Sequence, residues 1–301
     1  MTVGASGDTS AIGRDSYLDR LARRTATVGS VLCLGLDPDP AALPHGFARD
    51  VRGIEAFAGV VIDAALDSAA AIKPNLAFFE AFGSAGLAAL ERLRARVPAA
   101  VPVIIDAKRG DVGSTAARQA IALFDGLGAD AVTVNPYLGE EAVAPLIERA
   151  DRFAYVLCRT SNPGAAELQG LTVAADGGSS PEPLWARVAR LVSGWGPGGT
   201  VGLVVGATAP DEMRSIREIA PGLAFLVPGA GAQGGDVERV LAHGPAIAEP
   251  AGHRPGGGLL INVSRGIAGA AGRGPDAGNR DVGEAIRAAA VEWAGRLPVL
   301  P

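Results

Sequence analysis

The chain alternates short apolar runs with longer stretches in which apolar residues recur every three or four positions. Eight runs read as strands: residues 31–37 (VLCLGLD), 70–75 (AAIKPN), 101–108 (VPVIIDAK), 131–136 (AVTVNP), 154–160 (AYVLCRT), 201–207 (VGLVVGA), 224–229 (AFLVPG) and 259–264 (LLINVS). Most are continuously apolar, the pattern of parallel strands covered on both faces. Between them the period lengthens to that of a helix. After the sixth run, Met213, Ile216 and Ile219 share one face, with Glu212, Arg214, Arg217 and Glu218 largely on the other. Thr208 and Asp211 stand in capping-box spacing ahead of that helix. A closing helix over 282–297 carries Ile286, Trp293 and Leu297 on one stripe, and a helix over 15–27 is expected to cap the bottom of the structure. Eight such units predict an α/β fold: a single (β/α)8 TIM barrel over 1–301 with an additional N-terminal helix. A doubly wound open sheet shares the alternation and is the structural competitor. Residues 1–14 are expected to form a flexible N-terminus. Mobile loops are expected at 161–182, 244–258 and 268–281, which are rich in Gly, Pro and Ala.

Composition narrows the function classes. The 301 residues are 48% apolar and 20% charged, the balance of a soluble globular protein. With 27 Lys and Arg against 32 Asp and Glu, the net charge of −5 argues against a nucleic-acid partner, which needs a concentrated basic face. Aromatics at 5% supply no base-stacking platform. No apolar run is long enough to span a bilayer and no secretory signal opens the chain, so a cytoplasmic protein without a membrane partner is expected. Two cysteines cannot build a disulfide framework; Cys33 and Cys158 sit inside strand-like runs and read as buried thiols. His45, His243 and His253 lie in Pro/Gly-rich segments without metal-ligand spacing, so neither metal nor cofactor is expected. The chemistry is left to lysine and aspartate.

A parallel barrel places its active site at the C-terminal strand ends. Polar residues gather there: Asp37 after the first strand, Lys73 and Asn75 at the second, Asp106, Lys108 and Asp111 at the third, Ser161 and Asn162 after the fifth, and Ser264, Arg265 and Gly266 after the eighth. Asp106 and Lys108, two apart on a strand, face the same side. Alone, such a pair reads as an ordinary exposed ion pair. Lys73 on the neighbouring strand changes that, because two ammoniums and two carboxylates at one mouth are costly to hold unless charges alternate and hydrogen-bond. Gly229, Gly231 and Gly234 satisfy G-x-G-x-x-G, yet they follow the seventh strand rather than the first. The reading preferred is a phosphate grip of backbone amides, with Gln233 as a neutral donor and Arg265 as a planar cationic fork. A monophosphate ligand follows.

LCLGLDPD, AIKPN, IIDAKRGDVGSTA, RTSNPGA, PGAGAQGGD and INVSRGI, in this order, resemble orotidine 5′-monophosphate decarboxylases, in particular the bacterial long-chain (type 2) branch. The resemblance implies cofactor-free decarboxylation of orotidine 5′-monophosphate to uridine 5′-monophosphate and CO2, the last step of de novo pyrimidine nucleotide synthesis. It also implies residue roles. Lys73, Asp106, Lys108 and Asp111 would form an alternating network in which Lys108 protonates C6 and Asp106 lies beside the departing carboxylate. Asp111 and Thr115 would reach into the site of a partner subunit, making a homodimer obligatory. Asp37 and Lys73 would hold ribose hydroxyls, Ser161 the pyrimidine, and Gln233 with Arg265 the phosphate. The loops at 161–182 and 244–258 exceed those of short-chain members. Two other readings stand beside this one: a magnesium-dependent sugar-phosphate lyase or aldolase of the related barrel group, and a non-catalytic nucleotide-binding protein.

Overall fold

Strands that are apolar at every position need partners on both faces, and a closed parallel barrel wrapped in helices provides them. In the computed structural model, which describes residues 15–174, 180–231, 234–272 and 281–300, the strands are β1 (Leu32–Leu36), β2 (Ala71–Pro74), β3 (Ile104–Arg109), β4 (Ala131–Val134), β5 (Phe153–Arg159), β6 (Val201–Val205), β7 (Ala224–Val227) and β8 (Leu260–Val263). The sheet runs β2-β1-β8-β7-β6-β5-β4-β3, and parallel bridges Ile72–Val103 and Asn75–Asp106 join its two ends. The sheet therefore closes, and the open doubly wound alternative falls. Leu32, Leu34, Ile105, Val132 and Val134 face the helices, while Cys33, Ala71, Ile104, Ala131, Tyr155 and Leu260 fill the interior.

Helix α1 (Tyr17–Val28) closes the bottom. It starts on Ser16, whose hydroxyl accepts the Asp19 amide, and ends on Gly29 at φ 67°. Tyr17 is fully buried, stacks on Phe153 with ring centroids 4.8 Å apart, and meets the Tyr155 hydroxyl at 3.1 Å. The outer layer includes α2 (Val51–Ala65), α3 (Gly83–Arg96), α4 (Gly113–Ala120), α5 (Leu184–Val192), α6 (Pro210–Ile219), α7 (Val237–His243) and α8 (Val282–Arg296). Ile286 and Trp293 anchor α8, and Leu297 just beyond it is also buried, as their stripe requires. Among the described residues no helix is long and apolar enough to cross a membrane.

Three local expectations are corrected. Helix α6 carries no capping box: Ala209 is its N-cap without a side-chain bond, and Pro210 occupies the first turn, where its fixed φ suits the start of a helix. Arg217, expected on the polar face of α6, is buried. Its guanidinium lies 3.7 Å from the Phe225 ring centroid and donates to the carbonyls of Ala220, Pro221, Leu223 and Gly244. Segment 244–258, expected to be mobile, packs on the barrel bottom, with Ala251 and Gly256–Gly258 buried and amides of Ala246 and Ala251 bonded to Gly257 and Gly222. In the 161–182 loop a short helix (Ala165–Gln169) and a two-residue pairing of Thr172–Val173 with Glu182–Pro183 form. Residues 1–14 and most of the expected 268–281 loop (273–280) lie outside the described residues.

Candidate active site

At the C-terminal mouth of the barrel a cavity of about 190 Å³ is lined by Asp37, Lys73, Asn75, Asp106, Ser161, Gly229, Gly231, Asn262, Ser264, Arg265 and Gly266, with Pro228 and Val263. Seven of these positions follow from strand ends: β1 delivers Asp37, β2 Lys73, β3 Asp106, and the turns after β7 and β8 the glycines and Arg265. β1 carries Gly35 against two of the lining residues. A Cβ there would stand 2.7 Å from the Ser264 Cβ and 3.0 Å from the Asn262 Oδ1.

Asp106 is the hub of the charges. Lys73 Nζ donates to its Oδ2 at 2.6 Å, Lys108 Nζ to its Oδ1 at 2.5 Å, and the Thr133 hydroxyl to Oδ1 at 2.9 Å. Burial alone would push the Asp106 carboxyl up, but the two ammoniums outweigh it and hold the group far below the usual carboxylate range. The Lys73 side chain is 5% exposed, and burial pulls its ammonium down. Asp106 and Asp37 overcome that and leave it raised. Asp106 and Lys73 therefore both stay charged, each offset by the other. Cys33, beneath them, is pushed up to about 12 by burial and stays a neutral thiol.

The chain contains only two lysines among 27 cationic side chains, Lys73 and Lys108, and both bond to the same carboxylate. Everywhere else arginine serves. Arginine holds a charge as well as lysine but effectively never releases its proton, so lysine is kept where an ammonium must be compact or transferable. Lys108 differs from Lys73 in exposure, at 51% of its side chain, and in backbone: its φ of 48° is the one positive value outside glycine among the described residues. A non-glycine residue in that region is held there by its surroundings at a cost of about 1–3 kcal/mol.

The remaining expected residues divide. Asp37, Lys73, Asp106, Ser161 and Arg265 line one cavity, and Lys108 joins them through Asp106. Asp111 and Thr115 do not line it: the Asp111 carboxylate accepts the Val112 amide at 2.7 Å, and Thr115 is exposed. Gln233 lies outside the described residues. Asn262 and Thr133 were not anticipated from sequence. Asn262 had a usable signal, a polar residue two before Ser264 in an otherwise apolar strand. Its Oδ1, like the Asp37 Oδ1, is buried without a hydrogen-bond partner among the described residues. Two orphaned acceptors in one polar cavity call for donors from a ligand or water.

Residues 30–277 match the family described as "Orotidine 5′-phosphate decarboxylase / HUMPS family". The orotidine 5′-phosphate decarboxylase of Herpetosiphon aurantiacus is 48% identical over 239 residues, covering 79% of this chain and 84% of that one. Among solved structures, the Leishmania donovani OMP decarboxylase is 38% identical with TM-score 0.75, covering 93% of this chain and 97% of that one. The Leishmania donovani UMP synthase is 40% identical with TM-score 0.77; it covers 94% of this chain, which spans 56% of its length. The barrel, the lysine–aspartate hub at its mouth and these matches agree: the chain belongs to the orotidine 5′-phosphate decarboxylase family.

Proposed function

We propose that this enzyme is a carboxy-lyase converting orotidine 5′-monophosphate to uridine 5′-monophosphate and CO2, with Lys108 as the proton donor. The observation that carries the reading is the Lys73–Asp106–Lys108 chain beside a cavity whose far side is a glycine turn and an arginine. The sugar-phosphate lyase and the silent binder have no such support: relatives matched at 43–48% identity over most of the chain are named orotidine 5′-phosphate decarboxylases.

The chemistry suits the groups. When the C6–carboxylate bond breaks, its electron pair stays on an sp² carbon that no adjacent π system relieves. A fixed ammonium stabilises that pair as it forms and then transfers a proton from Nζ to C6. The half-exposed Lys108 amine regains a proton from solvent. Asp106, ionised at all working pH, lies where a substrate carboxylate would be repelled toward loss. Asp37 Oδ1 and Asn262 Oδ1 accept from the ribose hydroxyls. Backbone amides around Gly229 and Gly231, with Gln233 and Arg265, hold the phosphate, whose binding energy acts far from the bond that breaks.

Asp111 and Thr115 are assigned to the site of a second copy in a homodimer. In support, Asp111 does not line its own chain's cavity and its carboxylate accepts the Val112 amide, and apolar side chains just after β3 and β4, Val112, Tyr137 and Leu138, are exposed. A charged nucleotide substrate and two buried free thiols fit a cytoplasmic location. The test is direct: purified protein, orotidine 5′-monophosphate and EDTA, with absorbance following substrate and chromatography identifying uridine 5′-monophosphate. Turnover insensitive to EDTA is expected; no turnover, or turnover only with Mg²⁺, overturns the reading.

A further inference from the structure

Strands β3 and β4 pair in register at Ile104–Ala131 and Ile105–Val132, then resume at Arg109–Val134. Three residues of β3, Asp106, Ala107 and Lys108, thus stand opposite Thr133 alone, and the ladder is interrupted where the charged groups sit. The amides freed by this bulge do not go unpaired. Ala107 N–H and Lys108 N–H both donate to the Thr133 Oγ1, each at 3.0 Å, and the hydroxyl donates to Asp106 Oδ1 at 2.9 Å. A hydroxyl offers two lone pairs and one proton. With both lone pairs taken by amides, its proton has one direction left, toward the carboxylate. Thr133 is 2% exposed, does not line the cavity, and so acts only through its neighbours.

We propose that Thr133 is a positioning residue for the decarboxylation: one buried hydroxyl locks the three-residue bulge that sets Lys108 at positive φ and orients the carboxylate to which Lys108 is bound. This rests on the assignment of Lys108 as proton donor. A threonine that merely filled the interior would be replaced by valine without consequence, because the two side chains match in shape. Here valine removes three hydrogen bonds from the residues that carry the chemistry.

The test compares Thr133→Val, Thr133→Ser and wild type. For Thr133→Val, kcat should fall about a hundredfold, equivalent to ~2.7 kcal/mol of barrier, while KM changes less than threefold because the groups assigned to the ribose and the phosphate are unchanged. Thr133→Ser keeps the hydroxyl and should retain kcat within about fivefold. Backbone hydrogen exchange, read on peptides spanning Ala107 and Lys108, reports the lock without reference to activity: protection should be lost with valine and kept with serine. If Thr133→Val does not fold, Thr133→Cys, a weaker acceptor, should give an intermediate kcat and partial protection. Valine retaining half of wild-type kcat, or serine as impaired as valine, overturns the proposal. Absence of wild-type turnover overturns instead the assigned reaction, since the exchange pattern still reports whether the lock exists.

Discussion

Both oxygens of Asp106 are occupied, Oδ2 by Lys73 and Oδ1 by Lys108 and Thr133. Asparagine in its place keeps the shape but removes the anion offsetting two ammoniums, so Asp106→Asn is expected to cost about 3–5 kcal/mol near neutral pH. The pH dependence has a definite sign. The folded-state pKa of Asp106 is depressed, so its contribution is complete above about pH 4, the unfolded value, and fades as acid protonates the folded protein. Lys73 is raised, so its contribution is complete below about pH 10 and fades as alkali removes its proton. The Tm gap between wild type and Asp106→Asn should be widest between about pH 5 and 9 and narrow on acidification toward about pH 2. A gap constant from neutrality into that acid range would contradict the ion-pair account. Lys108 is tested through proton transfer. Lys108→Arg keeps a cation near Asp106 but cannot release a proton, and Lys108→Ala keeps neither. Both should lower kcat at least a hundredfold, within the ~10²–10⁴ that a positioned acid contributes, with Tm shifted by only a few degrees. Arginine preserving a tenth of the rate would remove Lys108 from the role of donor.

Element by element, what was legible in the sequence was what burial dictates. All eight strands form where apolar runs were read, within a few residues at each end, because a run buried on both faces has no other economical fate. The strand ends consequently predicted Asp37, Lys73, Asp106 and Arg265 on one cavity. The bulge opposite Thr133 was not legible: DAKRGD contains no glycine at the position with positive φ, and Lys108 is held there by tertiary bonds rather than by local preference. The restricted use of lysine was visible but needed the structure to show both ammoniums on one carboxylate. Arg217 failed for a related reason. Helical periodicity assigns a charged residue outward, whereas here bare carbonyls at the end of α6 and α7 draw it in, and burial lowers its guanidinium to about 9. It stitches α6, the turn into β7 and the end of α7 together. Arg217→Met fills the volume but abandons four carbonyls, so a loss of about 3 kcal/mol is expected, read as a lower urea midpoint. The activity of the folded fraction should be unchanged, since these contacts are at the opposite end of the barrel from Lys108. A midpoint within error of wild type would show that water replaces the guanidinium without penalty.

For the whole molecule, the question is whether one chain makes a complete site. Its own residues bring together two lysines, Asp106 and Asp37, but the Asp111 carboxylate accepts the Val112 amide and Thr115 is exposed, as are the apolar side chains Val112 and Tyr137 at 54% and 76%. In the proposed homodimer, burying those side chains against a second copy would remove apolar surface from water and Asp111 would serve the partner's site. By symmetry such a pair would complete both sites at once. Complementation tests this without a structure of the assembly. Lys108→Ala and Asp111→Ala should each be nearly inactive alone. Mixed in equal amounts and allowed to exchange subunits, they form hybrids in which one site carries both lesions and the other carries neither. With random pairing about half the dimers are hybrids with one intact site in two, so about a quarter of wild-type activity should return. Recovery that grows with time and stops when the variants are cross-linked before mixing is the expected signature. If Asp111 instead serves its own chain, every site in the mixture keeps a lesion and no activity returns, however long the subunits exchange.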